Sequence, residues 1–398
     1  MKQFDSAIST PIVSSAAFSY ESSTEAEAIF SGQSPKPLYS RMGNPTTSIL
    51  EKQIANMEEG IASVATSSGM GAIAMVITAI TQMDDEIISI GGLFGGTYSF
   101  MKQTLPRFGI STHFLDVDAI DKIEEKINEN TKIIYCESVG NPSLRLPDMK
   151  RIGQLATKHG IIFIVDNTIT PLVVRPLECG ADIAVYSTTK ILSGNSSALG
   201  GVAVFRAVKE GDKFHSKRYE FLKPFIKKLG EKALMGCFKK RALRDYGMSA
   251  NAHSSYQTLL GLETLELRTE RINSSTEIVA QCLKENGLNV NHPSLNESID
   301  NTLYKEQYPH GCGSMITLDL GTKERAFKFL DASKLLTLTA NIGDSRTLGL
   351  HMGSTIFNDF TDIEKEFLGI TDGLIRLSIG LEDPKLICDD LLECFRAV

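Results

Sequence analysis

GIIFIVDNTITPLVVRPLECGADIAVYSTTK, residues 160–190, holds two apolar runs, GIIFIVDN (160–167) and ADIAVYS (181–187), separated by a Pro-containing linker. Neither run alternates polar with apolar residues, which marks strands buried on both faces. The first ends on Asp166, and the second on a hydroxyl cluster followed by Lys190. Outward from this stretch the same pattern repeats in TKIIYCES (131–138) and EIISIGG (86–92). Helical periodicity separates or precedes these runs in DMKRIGQLATKHG (148–160), DAIDKIEEKIN (118–128), MGAIAMVITAITQM (70–83) and SILEKQIANMEE (48–59). Strand–helix alternation of this kind predicts an α/β fold on a mostly parallel sheet covered on both faces. Ligands of such sheets sit beyond the carboxyl ends of the strands, where Glu137, Asp166 and the Ser187–Lys190 group all fall.

The flanks read differently. Residues 1–50 carry Pro11, Pro35, Pro37 and Pro45 with many Ser and Thr, the composition of an extended arm. Residues 207–247 are rich in Lys and Arg and read as helical without a strand. From 248 onward one long helix (249–287) precedes the strands MITLDL (315–320) and LIRLSIG (374–380) and a final helix (384–398). The expected division is an arm (1–50), a larger, ligand-binding α/β domain (51–247) and a smaller C-terminal α+β domain (248–398).

The chain has 398 residues and a net charge of −7, with Lys and Arg scattered, so no basic face for nucleic acid is expected. No run approaches the roughly 18 apolar residues of a membrane span, and the first residues lack the pattern of a secretory leader. Seven cysteines, an odd number without a CxxC pair, predict free thiols in a reducing cytoplasm. The histidines show no metal-ligand spacing, so no metal is expected.

An isolated Asp at a strand end is an ordinary cap or turn residue, and an isolated Lys is ordinarily solvated. Together, with a helix and a strand between them, Asp166 and Lys190 could flank one planar ligand. Pyridoxal phosphate is the cofactor that wants this pair: the lysine binds its aldehyde, and the carboxylate keeps its ring nitrogen protonated. SSGMGA (67–72) adds a helix start at Gly69 and Met70 whose amides face an anion, and Ser187 and Thr189 could add hydroxyls to the same phosphate.

Further motifs accompany these residues: YSRMGNPT (39–46), TSSGMGAI (66–73), LFGGTY (93–98), ESVGNP (137–142), VDNT (165–168), GADIAVYSTTK (180–190), LGLETLELRTER (260–271), NIGDSRTL (341–348) and GITDGLIRLSIGLEDP (369–384). In this order, over nearly the whole chain, the sequence resembles the Cys/Met-metabolism family of pyridoxal phosphate enzymes. That family includes cystathionine synthases and lyases, methionine γ-lyase and O-acetylhomoserine sulfhydrylase. The resemblance implies the fold type I (aspartate aminotransferase-like) architecture. It also implies that Lys190 binds the cofactor and moves protons, that Asp166 meets the ring nitrogen, and that Gly69, Met70, Ser187 and Thr189 hold the phosphate. Tyr39 and Arg41 match residues that complete the phosphate site of a neighbouring subunit, so the resemblance implies shared sites in a homotetramer. Asn141 matches the residue near the cofactor's 3′-oxygen. Arg376 matches the clamp for the substrate carboxylate, with Asn341 and Tyr39 beside the substrate.

One departure stands out: the family's stacking Tyr is Phe94 here, which can stack but cannot transfer a proton. Tyr98 or Tyr39 could supply the hydroxyl instead. Within the family, Gly96 stands where methionine γ-lyases carry Cys, and Arg346 stands where cystathionine enzymes carry Glu. NIGDSRTL is similar to the O-acetylhomoserine sulfhydrylases, although His351-Met352 replaces their usual His-Pro. The resemblance therefore implies replacement of the acyl group of an O-acylhomoserine by a sulfur nucleophile to give homocysteine. A lyase or cystathionine synthase, or a weakly active cofactor-binding scaffold, are the alternatives.

Overall fold

A computed structural model describes residues 7–398; the first six residues of the expected arm lie outside the described residues. The larger sheet contains β1 (Ala62–Thr66), β2 (Glu86–Ile90), β3 (Ser111–Leu115), β4 (Thr131–Glu137), β5 (Ile162–Asp166), β6 (Ile183–Ser187) and β7 (Gly201–Phe205). Their spatial order is β1-β7-β6-β5-β4-β2-β3, parallel except for β7, which runs antiparallel to both neighbours. The apolar runs at 131, 162 and 183 are buried along their length, as uninterrupted Ile, Val and Phe require of strands covered on both faces.

The helices that cover it follow local rules. Helix α1 (Ser23–Phe30) lies within the expected arm and is capped by the Ser22 side chain. Helix α2 (Pro45–Met57) begins three residues before its expected start, with Asn44 as cap and Pro45 in the first turn. Helix α3 (Gly69–Ile80) is apolar on nearly every side and is correspondingly buried, packed against β6 and β7.

Two expectations are revised. The segment 118–128 forms 3₁₀ turns and a single α turn, because Ala119 leaves helical geometry. The long helix expected over 249–287 is two, Ala252–Leu262 and Leu265–Glu285. At the break, the buried guanidinium of Arg268 takes the Gly261 carbonyl at 2.7 Å, and Gly261 presses on the Leu192 and Ser193 backbone. The segment 207–247 is helical without a strand, as expected, in short helices and turns whose apolar side chains pack onto the larger sheet.

The second sheet contains β8 (Val290–Asn291), β9 (Met315–Asp319), β10 (Thr337–Leu338), β11 (Leu348–His351) and β12 (Leu374–Ser378), in the order β10-β11-β12-β9-β8. It has its own apolar core, built against the helices Leu265–Glu285 and Pro384–Arg396. Among the described residues no helix is long and apolar enough to cross a membrane. No cluster of metal-ligating side chains occurs among them.

Candidate active site

Where β5 and β6 end, register sets the site. Asp166 pairs with Val185 of β6 and with Glu137 of β4, and Ser187 pairs with Gly201 of β7. On its other side Gly201 pairs with Thr66, so the loop leading into α3 lies beside Ser187. A Cβ on Gly69 would lie 2.7 Å from Ser187 Cβ, and this close approach is why the helix opens on glycine. Ser68 caps α3 by accepting from the Gly71 amide at 3.0 Å. The amides of Gly69 and Met70, which have no intrahelical acceptor, are left at the wall of a cavity of about 260 Å³.

Both sheets line this cavity. The larger contributes Asp166, Ser187, Thr189 and Lys190, together with Phe94 and Asn141 from loops; the smaller contributes Arg376 of β12. Lys190 Nζ donates to Asn341 Oδ1 at 2.6 Å. Burial, with the Arg376 charge nearby, pushes the Lys190 amine down to about 8. Arg376 is itself almost fully buried, and burial lowers its pKa to about 10. Its hydrogen bonds go to neutral acceptors: Asn141 Oδ1 at 3.0 Å and the Ala340 and Asn341 carbonyls at 3.4 Å each. Among the described residues no carboxylate pairs with it, and a buried cation so placed is held ready for an anion.

Asp166 accepts from the Thr168 amide at 3.0 Å. Burial raises its pKa, while the hydrogen bonds from Thr168 oppose the rise. Beside it, burial and the Asp166 charge raise the Glu137 carboxyl well above the usual range. Glu137 accepts from the Phe94 amide at 2.7 Å and so ties the Phe94 loop to the end of β4. The Phe94 ring lies over Gly96, where an added Cβ would stand 2.8 Å from it.

Nine of the expected site residues therefore line one cavity, and Asn341 reaches it through Lys190. Thr189 lines it too, but its hydroxyl is occupied by Gly200, donating to the carbonyl at 3.3 Å and accepting from the amide at 3.1 Å. Tyr39 and Arg41 stand away from this chain's cavity, with the guanidinium 5.5 Å from the Tyr39 ring centre and Tyr39 exposed. Tyr98 does not supply the missing hydroxyl. It is buried among Phe114, Phe360 and Phe367, because its helix turns that face away from the cavity.

The residue-level reading passed over Ser68, Thr168 and Arg268. Ser68 was legible as a cap immediately before an apolar helix. Thr168, whose hydroxyl accepts from the Ser187 amide at 2.8 Å, gave no signal beyond its place after Asp166. Arg268 donates to the Ile191 carbonyl at 2.7 Å and braces the turn after Lys190, a role only the fold reveals.

The donor set suits pyridoxal phosphate: an amine of lowered pKa, a carboxylate at the far side, helix-start amides and a hydroxyl for a phosphate, and an aromatic ring for stacking. The family model described as Cys/Met metabolism PLP-dependent enzyme matches residues 1–396. A homocysteine synthase of Schizosaccharomyces pombe is 36% identical, over 97% of this chain and 92% of its own length. An O-acetyl-L-homoserine sulfhydrylase of Leptospira meyeri is 32% identical over 98% of this chain and 92% of its own. An L-methionine gamma-lyase of Fusobacterium nucleatum subsp. polymorphum is 33% identical over 98% and 94%. A crystal structure from Campylobacter jejuni, described as an O-acetylhomoserine (thiol)-lyase with N′-pyridoxyl-lysine-5′-monophosphate, superposes with a TM-score of 0.93. It is 32% identical, over 98% of this chain and 95% of that one.

Proposed function

The chain belongs to the Cys/Met metabolism family of pyridoxal phosphate-dependent enzymes, and from that premise we propose that it replaces the acyl group of an O-acylhomoserine with a sulfur nucleophile. With acetyl and sulfide, the products are homocysteine and acetate. One observation carries this reading: an amine of lowered pKa, a buried carboxylate and a buried guanidinium that has no carboxylate partner among the described residues converge on one cavity.

Pyridoxal phosphate, when bound, supplies the electron sink that lets protons leave Cα and Cβ of an amino acid. The rest falls to the chain. Arg376 takes the substrate carboxylate with its planar fork. Lys190, partly neutral near pH 8, takes the Cα proton and returns protons to the carbon skeleton. Asp166 would face the ring nitrogen and hold its proton there. The Gly69 and Met70 amides and the Ser187 hydroxyl would hold the phosphate, Asn141 the 3′-oxygen, and Phe94 would cover the ring.

Replacement is favoured over methionine cleavage by Gly96. A cysteine at that position, as in the lyases, would push on the Phe94 ring, and glycine leaves the ring where it lies. Incubation with O-acetylhomoserine and sulfide is expected to yield homocysteine. A faster release of 2-keto acid and thiol from methionine alone would overturn the assignment. Phe94→Tyr is expected to raise kcat for elimination about 10²-fold, the low end for one added proton-transfer group. An unchanged kcat would show that the hydroxyl is not limiting.

Tyr39 and Arg41 complete the phosphate site of a neighbouring copy in this reading, which accounts for their exposure and their distance from their own cavity. Mixed Arg41→Ala and Lys190→Ala chains are then expected to recover about a quarter of wild-type activity, since half the reassorted dimers carry one intact site of two. Activity no greater than that of the separate variants would argue for sites made by single chains.

A further inference from the structure

We propose that Ser196 and Asp344 are positioning residues: they fix which end of the Asn341 side-chain amide faces Lys190, and thereby where the Lys190 amine is held. The inference rests on the reading of Lys190 as the reacting lysine.

The reasoning begins at the far end of a hydrogen-bonded chain. The Asp344 side chain is fully buried and is gripped by Arg346, with Nε 2.8 Å from Oδ1 and Nη2 3.1 Å from Oδ2. Burial works to raise its pKa, but the hydrogen bonds from Arg346 and Ser196 outweigh it and hold the carboxyl below its ordinary value. An ionised carboxylate only accepts. The Ser196 hydroxyl, bonded to Asp344 Oδ2, must therefore spend its single proton there. What Ser196 Oγ offers on its other side is lone pairs, so Asn341 must present Nδ2, which stands 2.8 Å away. The carbonyl end, Oδ1, is then left for Lys190 Nζ at 2.6 Å. The reversed amide would set its NH2 group against the lysine and its oxygen against a hydroxyl with no proton to give.

This polarity matters to a base. A neutral amine held through one of its N–H bonds keeps its lone pair away from Asn341 and free for the cavity. The backbone at Ser196 points the same way. Its φ is +58°, a left-handed conformation that glycine adopts more readily, so serine is kept there for its hydroxyl. The two loops are docked without that hydroxyl: the Ser345 amide donates to the Gly194 carbonyl at 2.9 Å, and Gly343 has no Cβ to strike the Ile191 amide.

Ser196→Gly separates the hydroxyl from the fold, because glycine suits φ +58° and should leave the melting temperature unchanged or higher. Full-length protein stripped of cofactor is treated with trinitrobenzenesulfonate over a pH series, and modification of Lys190 is followed by peptide mass spectrometry. From a midpoint near 8, Ser196→Gly is expected to lower the midpoint by about half to one unit, as the charged amine loses a firmly held acceptor. In the loaded enzyme kcat should fall about 10²-fold, the cost of a group misplaced by about 1 Å, with KM little changed. Asn341→Ala should show the same midpoint shift, and adding Ser196→Gly to it should shift nothing further, the signature of residues acting in series. An unchanged midpoint in Ser196→Gly, or shifts that add in the double variant, would overturn the proposal. The visible band of Lys190→Ala separates the two ideas. If that variant loses the band while Ser196→Gly leaves the midpoint unmoved, the lysine assignment stands and the positioning role falls.

Discussion

Replacing Lys190 with alanine is expected to remove the long-wavelength absorption of the purified enzyme and to cut turnover roughly 10²–10⁴-fold or more. Among the described residues that line the cavity Lys190 is the one lysine, and it has both a lowered pKa and a held position, with Asn341 on its Nζ. In the proposed function both the linkage to the cofactor and the proton transfers pass through that amine, so one change would remove two functions. The fold should survive. Lys190 and Arg376 are like charges sharing a buried space, and removing one relieves repulsion. A visible spectrum, a melting curve and the homocysteine assay check the prediction together; a variant that keeps the band would show that another amine binds the cofactor.

Arg376→Lys is expected to lower kcat/KM roughly 10²-fold or more, most of it through KM. Truncating one partner of a buried charge pair costs about 2–5 kcal/mol. Arginine's fork here already spends Nη1 on Asn141 and Nη2 on two carbonyls, which aims its remaining N–H bonds. Lysine carries the charge but has neither the reach nor the planar geometry. Kinetics with the amino acid substrate, set beside those for its decarboxylated analogue, test this. The analogue should respond little to the substitution, and an unchanged KM for the amino acid would remove Arg376 from substrate binding.

The parts of the site legible in the sequence were those set by neighbours in the chain. Uninterrupted apolar runs before Asp166 and Ser187 read as strands buried on both faces, so the polar residues that end them stand at the carboxyl ends of the strands. Ser68 ahead of an apolar run predicts a helix start, and with it free amides. Less legible were β1, β3 and β7, short runs whose place depends on pairing; β7 is antiparallel against expectation for a sheet of this kind. The break between residues 262 and 265 was hidden for a similar reason. No residue there forbids a helix, and the bend is imposed by Arg268 and by the backbone that Gly261 meets.

The sequence by itself therefore determined the α/β class, the end of the sheet where a ligand would sit, and that Asp166 and Lys190 both stand at that end. These follow from local apolar pattern and from residue chemistry, both written in short stretches. Tertiary structure alone decided that Arg376 lies buried without a carboxylate, that Tyr98 turns away from the cavity, and that Lys190 meets Asn341, 151 residues further along the chain. Such contacts depend on how one sheet docks on the other. That docking is set by the summed packing of many apolar side chains, and no stretch of sequence holds that sum.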